Sequence, residues 1–256
     1  MFTSTINPLL LQLGPFEIRW YGVCMALAFL TGYLLLRKLA KEKGINEQLI
    51  ENLLLWLIPG ILIGARIVEI LIYEPHFYFA DPIRMLEIWK GGIASHGGIA
   101  GALVVIYFFA KKHKLRFYQI TDLIAIPFTI GATFVRIGNF TNGELVGRIT
   151  QVPWAVKFPA AEGFRHPSQL YEAASHLLLA GILWNFRKLK EGMLTWITIG
   201  GYSILRFGIE FFKEFQLYWG LTIGQWLSLL GIIISGIFLW KINADKSHPN
   251  KLSGRS

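Results

Sequence analysis

Cysteine is almost missing from this 256-residue chain. Cys24 stands alone, which excludes an intramolecular disulfide and any CxxC-type metal site. Charge is scarce too: Asp, Glu, Lys and Arg make up 16% of the residues, against roughly 25% in soluble domains. The six histidines, at 76, 96, 113, 166, 176 and 248, form no HxxxH-like pair, so no metal is expected. There is no GxSxG, no Walker loop, no low-complexity tract and no internal repeat. No cofactor is expected either.

What the chain has in excess is apolar sequence, 54% of its residues, with a mean hydropathy of +0.47. Seven apolar runs approach the ~20 residues that span a bilayer. They cover about 20–36, 53–72, 93–110, 119–137, 169–186, 193–212 and 223–240. The first does not read as a cleavable signal: no basic leader precedes it, no small-residue cleavage site follows, and Arg19, Trp20 and Tyr21 open it. The expected class is an all-α polytopic membrane protein of about seven transmembrane helices.

Orientation follows from the basic residues. Fifteen of the 25 fall in alternate connections: Arg37–Lys43, Lys111–Arg116, Arg187–Lys190 and the tail from Lys241 to Arg255. Seven lie on the opposite side: Arg19, Arg84, Lys90, Arg148, Lys157, Arg165 and Lys213. The positive-inside rule therefore predicts an outside N-terminus and a cytoplasmic C-terminus. It also accounts for most of the +9 net charge, so no nucleic-acid partner is implied. One catalytic domain is expected over 1–241, with a basic cytoplasmic tail at 242–256. On the outer side, 82–90 reads as a short interfacial helix. The connection 138–168 is too long for a simple turn, and its Phe140, Trp154, Phe158 and Phe164 predict an ordered cap.

The three remaining basic residues, Arg66, Arg136 and Arg206, lie inside predicted spans. Each costs roughly 2.5–3.5 kcal/mol at a helix centre, so each should face protein and be paired. Topology puts Tyr21, Arg66, Glu69, His96, Arg136, Asn139, Gln169, Glu172, Tyr202, Arg206 and Glu210 in the outer half of the membrane. The inner half has chiefly Asp122, which reads as a cap or anchor of the fourth helix. Structural explanations exist singly. Arg66–Glu69 at i,i+3 and Arg206–Glu210 at i,i+4 have the spacing of ion pairs. His96-Gly97-Gly98 with Gly101 has the small residues of a close-packed helix face. Cys24 reads as a core residue, and His176, without polar neighbours in sequence, as structural. Independent pairs would scatter over both leaflets; convergence on one suggests a site. Arginines in a partly dry site match an anion, and the phosphate at that depth is a phospholipid head group.

Residues 136–148, RIGNFTNGELVGR, resemble the hallmark segment of the bacterial phosphatidylglycerol–prolipoprotein diacylglyceryl transferases. Arg19-Trp20-Tyr21-Gly22, Ser95-His96-Gly97-Gly98, His166-Pro167-Ser168-Gln169-Leu170-Tyr171-Glu172 and Arg206-Phe207 with Glu210-Phe211-Phe212 support the resemblance in the same order. Lys213-Glu214-Phe215-Gln216 departs from the family's usual Arg-x-Pro-Asp. The resemblance implies transfer of the diacylglyceryl group of phosphatidylglycerol to the signal-peptide cysteine of a prolipoprotein, in the bacterial cytoplasmic (inner) membrane. Glycerol phosphate leaves and a thioether forms. Arg136 and Arg206 are expected to hold the phosphate, with Arg148 assisting. His96 is the candidate proton acceptor, with Glu144 and Glu210 as alternatives. Asn139, Glu144, Tyr21, Tyr202 and Glu210 are expected to orient the arginines or the lipid glycerol. The rival readings are an anion transporter, which needs a polar path across both leaflets, and a non-catalytic lipid-binding scaffold.

Overall fold

The computed structural model describes residues 1–14, 16–88, 91–92 and 94–245. Of the expectations above, Trp89 and Lys90 in the interfacial segment and most of the basic tail lie outside the described residues. The chain is mostly helical. Among the described residues its elements follow one another as eight α-helices with small β pairings at the ends. It folds as two compact units, residues 37–121 and the remainder.

Four helices are long and apolar enough to cross a membrane: α1 (Trp20–Glu42), α2 (Glu47–Val68, prolonged to Tyr73 by a π-helical turn), α5 (Phe117–Asn142) and α8 (Ile223–Ala244). Their surfaces are apolar as well: Leu55, Ile63, Ile72 and Ile233 are more than half exposed. Asn46 starts α2 by accepting from the Gln48 amide at 2.9 Å, which satisfies one of the orphan donors of the first turn. Three further expected spans appear as 18-residue helices: α4 (Ser95–Lys112), α6 (Ser168–Asn185) and α7 (Met193–Glu210). At 1.5 Å per residue each is about 27 Å long. They dilute their apolarity with the polar groups that matter below.

In the unit of residues 37–121, α2 and α4 approach so closely that glycine is required. A Cβ on Gly64 would sit 2.8 Å from the Gly101 Cα, and one on Gly101 would sit 3.1 Å from the Gly60 carbonyl carbon. The expected close-packed glycine face is therefore real. Gly64→Ala should destabilise by about 1–3 kcal/mol through overpacking. Gly236→Ala in α8 meets open space and should be neutral or gain up to about 1 kcal/mol of helix propensity. Thermal unfolding of both variants in detergent checks the pair; equal midpoints would refute the close contact.

The same unit bears on two expectations. Among the described residues of the segment expected as an interfacial helix, Pro82–Leu86 forms a 3-10 turn, preceded by a short helix α3 (Pro75–Ala80). Pro75 and Pro82 each open an element, as a residue without an N–H can. Arg66 does not pair with Glu69. Its Nε donates to the Met85 carbonyl at 3.1 Å, and its Nη1 to Tyr78 Oη at 3.0 Å and to the Gly91 and Gly92 carbonyls at 2.7 Å. Its Nη2 donates to the Arg84 carbonyl. The charge is solvated by backbone dipoles, and it pins the backbone of Arg84, Met85, Gly91 and Gly92 to the end of α2.

In the other unit, residues 9–13 and 16–19 form the antiparallel pair β2–β3 (Leu9–Leu13 with Phe16–Arg19). The connection 138–168 contains short strands. Its β4 (Val156–Lys157) pairs in parallel with β1 (Phe2–Thr3) and antiparallel with β5 (Phe164–Arg165). Phe158, 1% exposed, meets Phe140 edge-on at 5.7 Å. Asp122 is buried, but it does not cap its own helix. Its Oδ2 accepts from the Gly192 amide at 2.7 Å and its Oδ1 from the Thr195 amide at 2.8 Å, so it caps the N-terminus of α7, where a negative charge is favoured. Beyond α7 the hairpin β6–β7 (Leu217–Tyr218, Leu221–Thr222) turns through Trp219 and Gly220, both with positive φ, as a two-residue hairpin turn requires.

Candidate active site

The polar residues of α5, α6 and α7 meet at one carboxylate. Glu172 sits in the second turn of α6 and is 2% exposed. Its Oε2 lies 2.6 Å from Arg136 Nε on α5. Its Oε1 lies 2.5 Å from Arg206 Nη1 on α7 and 2.6 Å from Lys213 Nζ just past that helix. Arg206 then turns its Nη2 to Glu210 Oε2 at 2.7 Å, one helical turn on. Glu210 Oε1 accepts from Thr222 Oγ1 at 2.9 Å. Thr222 is itself the N-cap of α8 in a capping box with Gln225, so the start of α8 fixes the second carboxylate.

Arg136 is held from its own helix as well. Its Nη1 donates to Asn139 Oδ1 at 3.3 Å, and Asn139 Nδ2 donates to Glu144 Oε1 at 2.8 Å. The backbone at Glu144 is tied to α6, since Gln169 Nε2 donates to its carbonyl at 2.6 Å and Ser168 Oγ to the Leu145 carbonyl at 3.1 Å. Gln169 is fully buried, and its Oε1 has no hydrogen-bond partner. Tyr21 rests against Gly138, where a Cβ would meet its Cδ2 at 2.8 Å; glycine there lets α1 bring the phenol beside the arginine segment.

The cluster Arg136, Arg206, Lys213, Glu172 and Glu210 carries a formal charge of +1, set by three cations and two carboxylates. Both arginine side chains keep 21% of their surface, and each has N–H groups beyond those its carboxylates use. Preorganised cations of this kind favour an anion that gains charge in place. Burial pushes the Lys213 ammonium below the ordinary lysine range, and the Glu172 carboxylate holds it up against that.

In the connection 138–168, His166 meets residues of two other segments. Its Nδ1 lies 3.1 Å from Tyr171 Oη, which also receives Trp154 Nε1 at 2.7 Å, and its ring meets Phe212 edge-on at 5.0 Å. The Arg148 amide donates to the Phe212 carbonyl at 2.9 Å, while the Arg148 side chain stays exposed. Burial, and then the Arg148 charge, push the His166 imidazole below 6.5. In the window between that lowered value and 6.5 the unfolded chain binds more protons, so stability falls as pH drops below 6.5. The unfolding midpoint at pH 5.5 should lie below that at pH 7 by more in wild type than in His166→Gln; equal pH dependence would refute it.

Of the residues expected from sequence, Arg136, Asn139, Glu144, Arg206 and Glu210 form one connected network. Tyr202 stacks on His176, with centroids 5.6 Å apart and planes 16° from parallel. Arg148 enters only through its backbone, whose amide donates to the Phe212 carbonyl. His96 belongs to the unit of residues 37–121, where its exposed ring has Nδ1 3.4 Å from Tyr73 Oη. Three residues were missed in their roles: Glu172 as hub, Lys213 as third cation, and Thr222 behind Glu210. Glu172 closes the His166–Glu172 segment and could have been found there. Lys213, at the departure from the usual Arg-x-Pro-Asp, keeps a cation at that place. Nothing local marks Thr222 beyond its cap position.

Comparisons with known proteins identify a family. A family model described as prolipoprotein diacylglyceryl transferase matches residues 8–241. A Tolumonas auensis protein named phosphatidylglycerol–prolipoprotein diacylglyceryl transferase is 38% identical over 250 residues, covering 94% of this chain and 96% of that one. Proteins of the same name are 39% identical in Agrobacterium fabrum, covering 91% and 89%, and 36% identical in Chloroherpeton thalassium, covering 92% of each. With a family match over residues 8–241 and relatives 36–39% identical over nearly their whole length, this chain belongs to the prolipoprotein diacylglyceryl transferase family.

Proposed function

We propose that the protein transfers the diacylglyceryl group of phosphatidylglycerol to the cysteine thiol of a prolipoprotein signal peptide. A C–S bond forms, the C–O bond to phosphate breaks, and glycerol phosphate leaves. The observation that carries this reading beyond family membership is the fan of Arg136, Arg206 and Lys213 around Glu172. The leaving group gains charge on phosphate oxygens. Guanidinium groups already fixed by Glu172 and Glu210 need no reorganisation to meet it.

Arg136 and Arg206 hold the phosphate in this scheme, with Arg148 at the cap. Asn139, Glu144 and Glu210 keep the guanidiniums in place, and Tyr21 and Tyr202 border the lipid glycerol. The attacking species is a thiolate, whose free pKa is about 8.5, so a proton acceptor is needed. Glu210 is committed to Arg206 and Thr222, and Glu144 to Asn139. His96 remains a candidate by chemical type. The reaction calls for no cofactor.

The seven long helices are proposed as spans, with the N-terminus outside and the C-terminus cytoplasmic. Positive-inside bias and the ~27 Å length of α4, α6 and α7 support this. The site then faces the outer leaflet of the bacterial inner membrane, residues 138–168 cap it, and the single catalytic domain covers 1–241. Both substrates are membrane-bound and enter between helices. Reconstitution with phosphatidylglycerol and a signal-peptide cysteine should give thioether product. Absence of product where a known transferase works would reject the activity.

A further inference from the structure

We infer that Gly224, in the first turn of α8, is a positioning residue for the transfer. Its missing side chain seats the Glu210 carboxylate, which in turn sets the plane of Arg206. The inference rests on the transferase reading and names what fixes the geometry of one phosphate-holding arginine.

Glycine is a poor helix residue, and the neighbour of Gly224 explains its presence. A Cβ on Gly224 would overlap Glu210 Oε1 and come within 2.9 Å of Cδ and 3.2 Å of Oε2. The whole carboxylate therefore lies over the bare Cα. Gly236, in the same helix, meets only open space. Farther along, α7 and α8 are already in close contact. A Cβ on Gly200 would meet the Ser235 Cβ at 3.2 Å, and one on Gly231 would meet the Ser203 Cβ at 3.3 Å. With the helices seated on each other there, a side chain at 224 displaces the carboxylate rather than the helix.

That carboxylate has little freedom of its own. Glu210 is 3% exposed. Thr222 Oγ1 accepts from the Gln225 amide at 3.1 Å, which directs its one proton to Glu210 Oε1 at 2.9 Å. The start of α8 also favours negative charge there. Oε2 is left for Arg206 Nη2 at 2.7 Å, while Nη1 of the same guanidinium goes to Glu172. A planar group fixed at both terminal nitrogens has one orientation. Its remaining N–H groups then face one direction.

A displaced Glu210 leaves Arg206 held by Glu172 alone and able to turn about that contact. The charges are unchanged, so phosphatidylglycerol still binds. What is lost is alignment with the charge that develops on the leaving phosphate. A misplacement of about 1 Å can cost on the order of 100-fold in rate.

The test is Gly224→Ala, followed by thioether formation from phosphatidylglycerol and a signal-peptide cysteine. Its kcat should fall about 30-fold while KM for the lipid stays within about 3-fold. Gly236→Ala should match wild type in both. Thr222→Val breaks the hold on Glu210 by another route and should show the same split. Thr222→Ser keeps the hydroxyl and should recover the wild-type rate within about 3-fold. The unfolding midpoint in detergent gives a readout apart from activity. Gly224→Ala should lower it by about 3 °C when Glu210 is present. In a Glu210→Ala background, where the obstructing carboxylate is gone, the same substitution should leave it unchanged or raise it by up to about 2 °C. An undiminished kcat in Gly224→Ala, a loss carried by KM, or an equal midpoint drop in both backgrounds overturns the inference. Should Gly224→Ala not fold, the Thr222 pair decides, and equal rates for the valine and serine variants overturn it as well. Wild type yielding no thioether would instead reject the transferase reading and leave the midpoint comparison to judge the seat of Glu210.

Discussion

Glu172→Gln should be the most damaging single substitution in the molecule. The carboxylate touches three cations at 2.5–2.6 Å and is almost fully buried. An amide is the same size but brings no charge and turns an N–H₂ group toward at least one of those cations. Arg136, Arg206 and Lys213 would then repel one another with only Glu210 left among them. Removing one partner of a buried pair costs about 3–5 kcal/mol, which for a chain of this size is a fall of roughly 10 °C in the unfolding midpoint. Activity should drop at least about 100-fold, because both guanidiniums lose their common anchor. The interpretation is checked by a second substitution. Lys213→Gln removes one of the repelling cations, so Glu172→Gln with Lys213→Gln should be more stable than Glu172→Gln alone. Strictly additive losses in unfolding midpoint would mean that the three cations do not share this carboxylate.

The sequence made the helices and the arginines legible and left their shared centre hidden, for physical reasons. Apolar runs announce spans because every residue of a lipid-facing helix must be apolar. α6 and α7 were also legible as runs, yet they are less apolar than α1, α2, α5 and α8 because they carry Gln169, Glu172, His176, Arg206 and Glu210. Pairing was less readable. The i,i+4 spacing of Arg206 and Glu210 does mark a real ion pair, because both ends are on one helix. The i,i+3 spacing of Arg66 and Glu69 does not, because a loop 18 to 26 residues away supplies carbonyls that outcompete the carboxylate. Asp122 shows the same limit: its partners lie 70 and 73 residues on, at the start of α7. A hub such as Glu172, with partners on three separate segments, has no local spacing to reveal it. The stacking of His176 on Tyr202 was unreadable for a related reason, since the two rings come from separate helices.

Arg206→Lys is the second substitution with a large expected effect, and it separates geometry from charge. Arg206 bridges two carboxylates with two different nitrogens, Nη1 to Glu172 at 2.5 Å and Nη2 to Glu210 at 2.7 Å. That leaves the Nε edge and the outer N–H groups for a ligand in a fixed plane. Lysine keeps the charge, so the network stays at +1 and the stability loss should be small, about 1 kcal/mol. A single ammonium, however, is a point donor that cannot span both carboxylates and still present a planar fork to a phosphate. The transferase rate should therefore fall by about 10²–10³, the usual effect of losing one preorganised donor to a developing charge. Arg136→Lys should behave alike, since its Nε serves Glu172 and its Nη1 serves Asn139. The measurement is thioether formation by purified variants at saturating phosphatidylglycerol, beside an unfolding midpoint on the same samples. Full activity in either lysine variant would show that the phosphate needs only positive charge at that position. A rate loss matched by collapse of the midpoint would assign the arginine to holding the helices together instead.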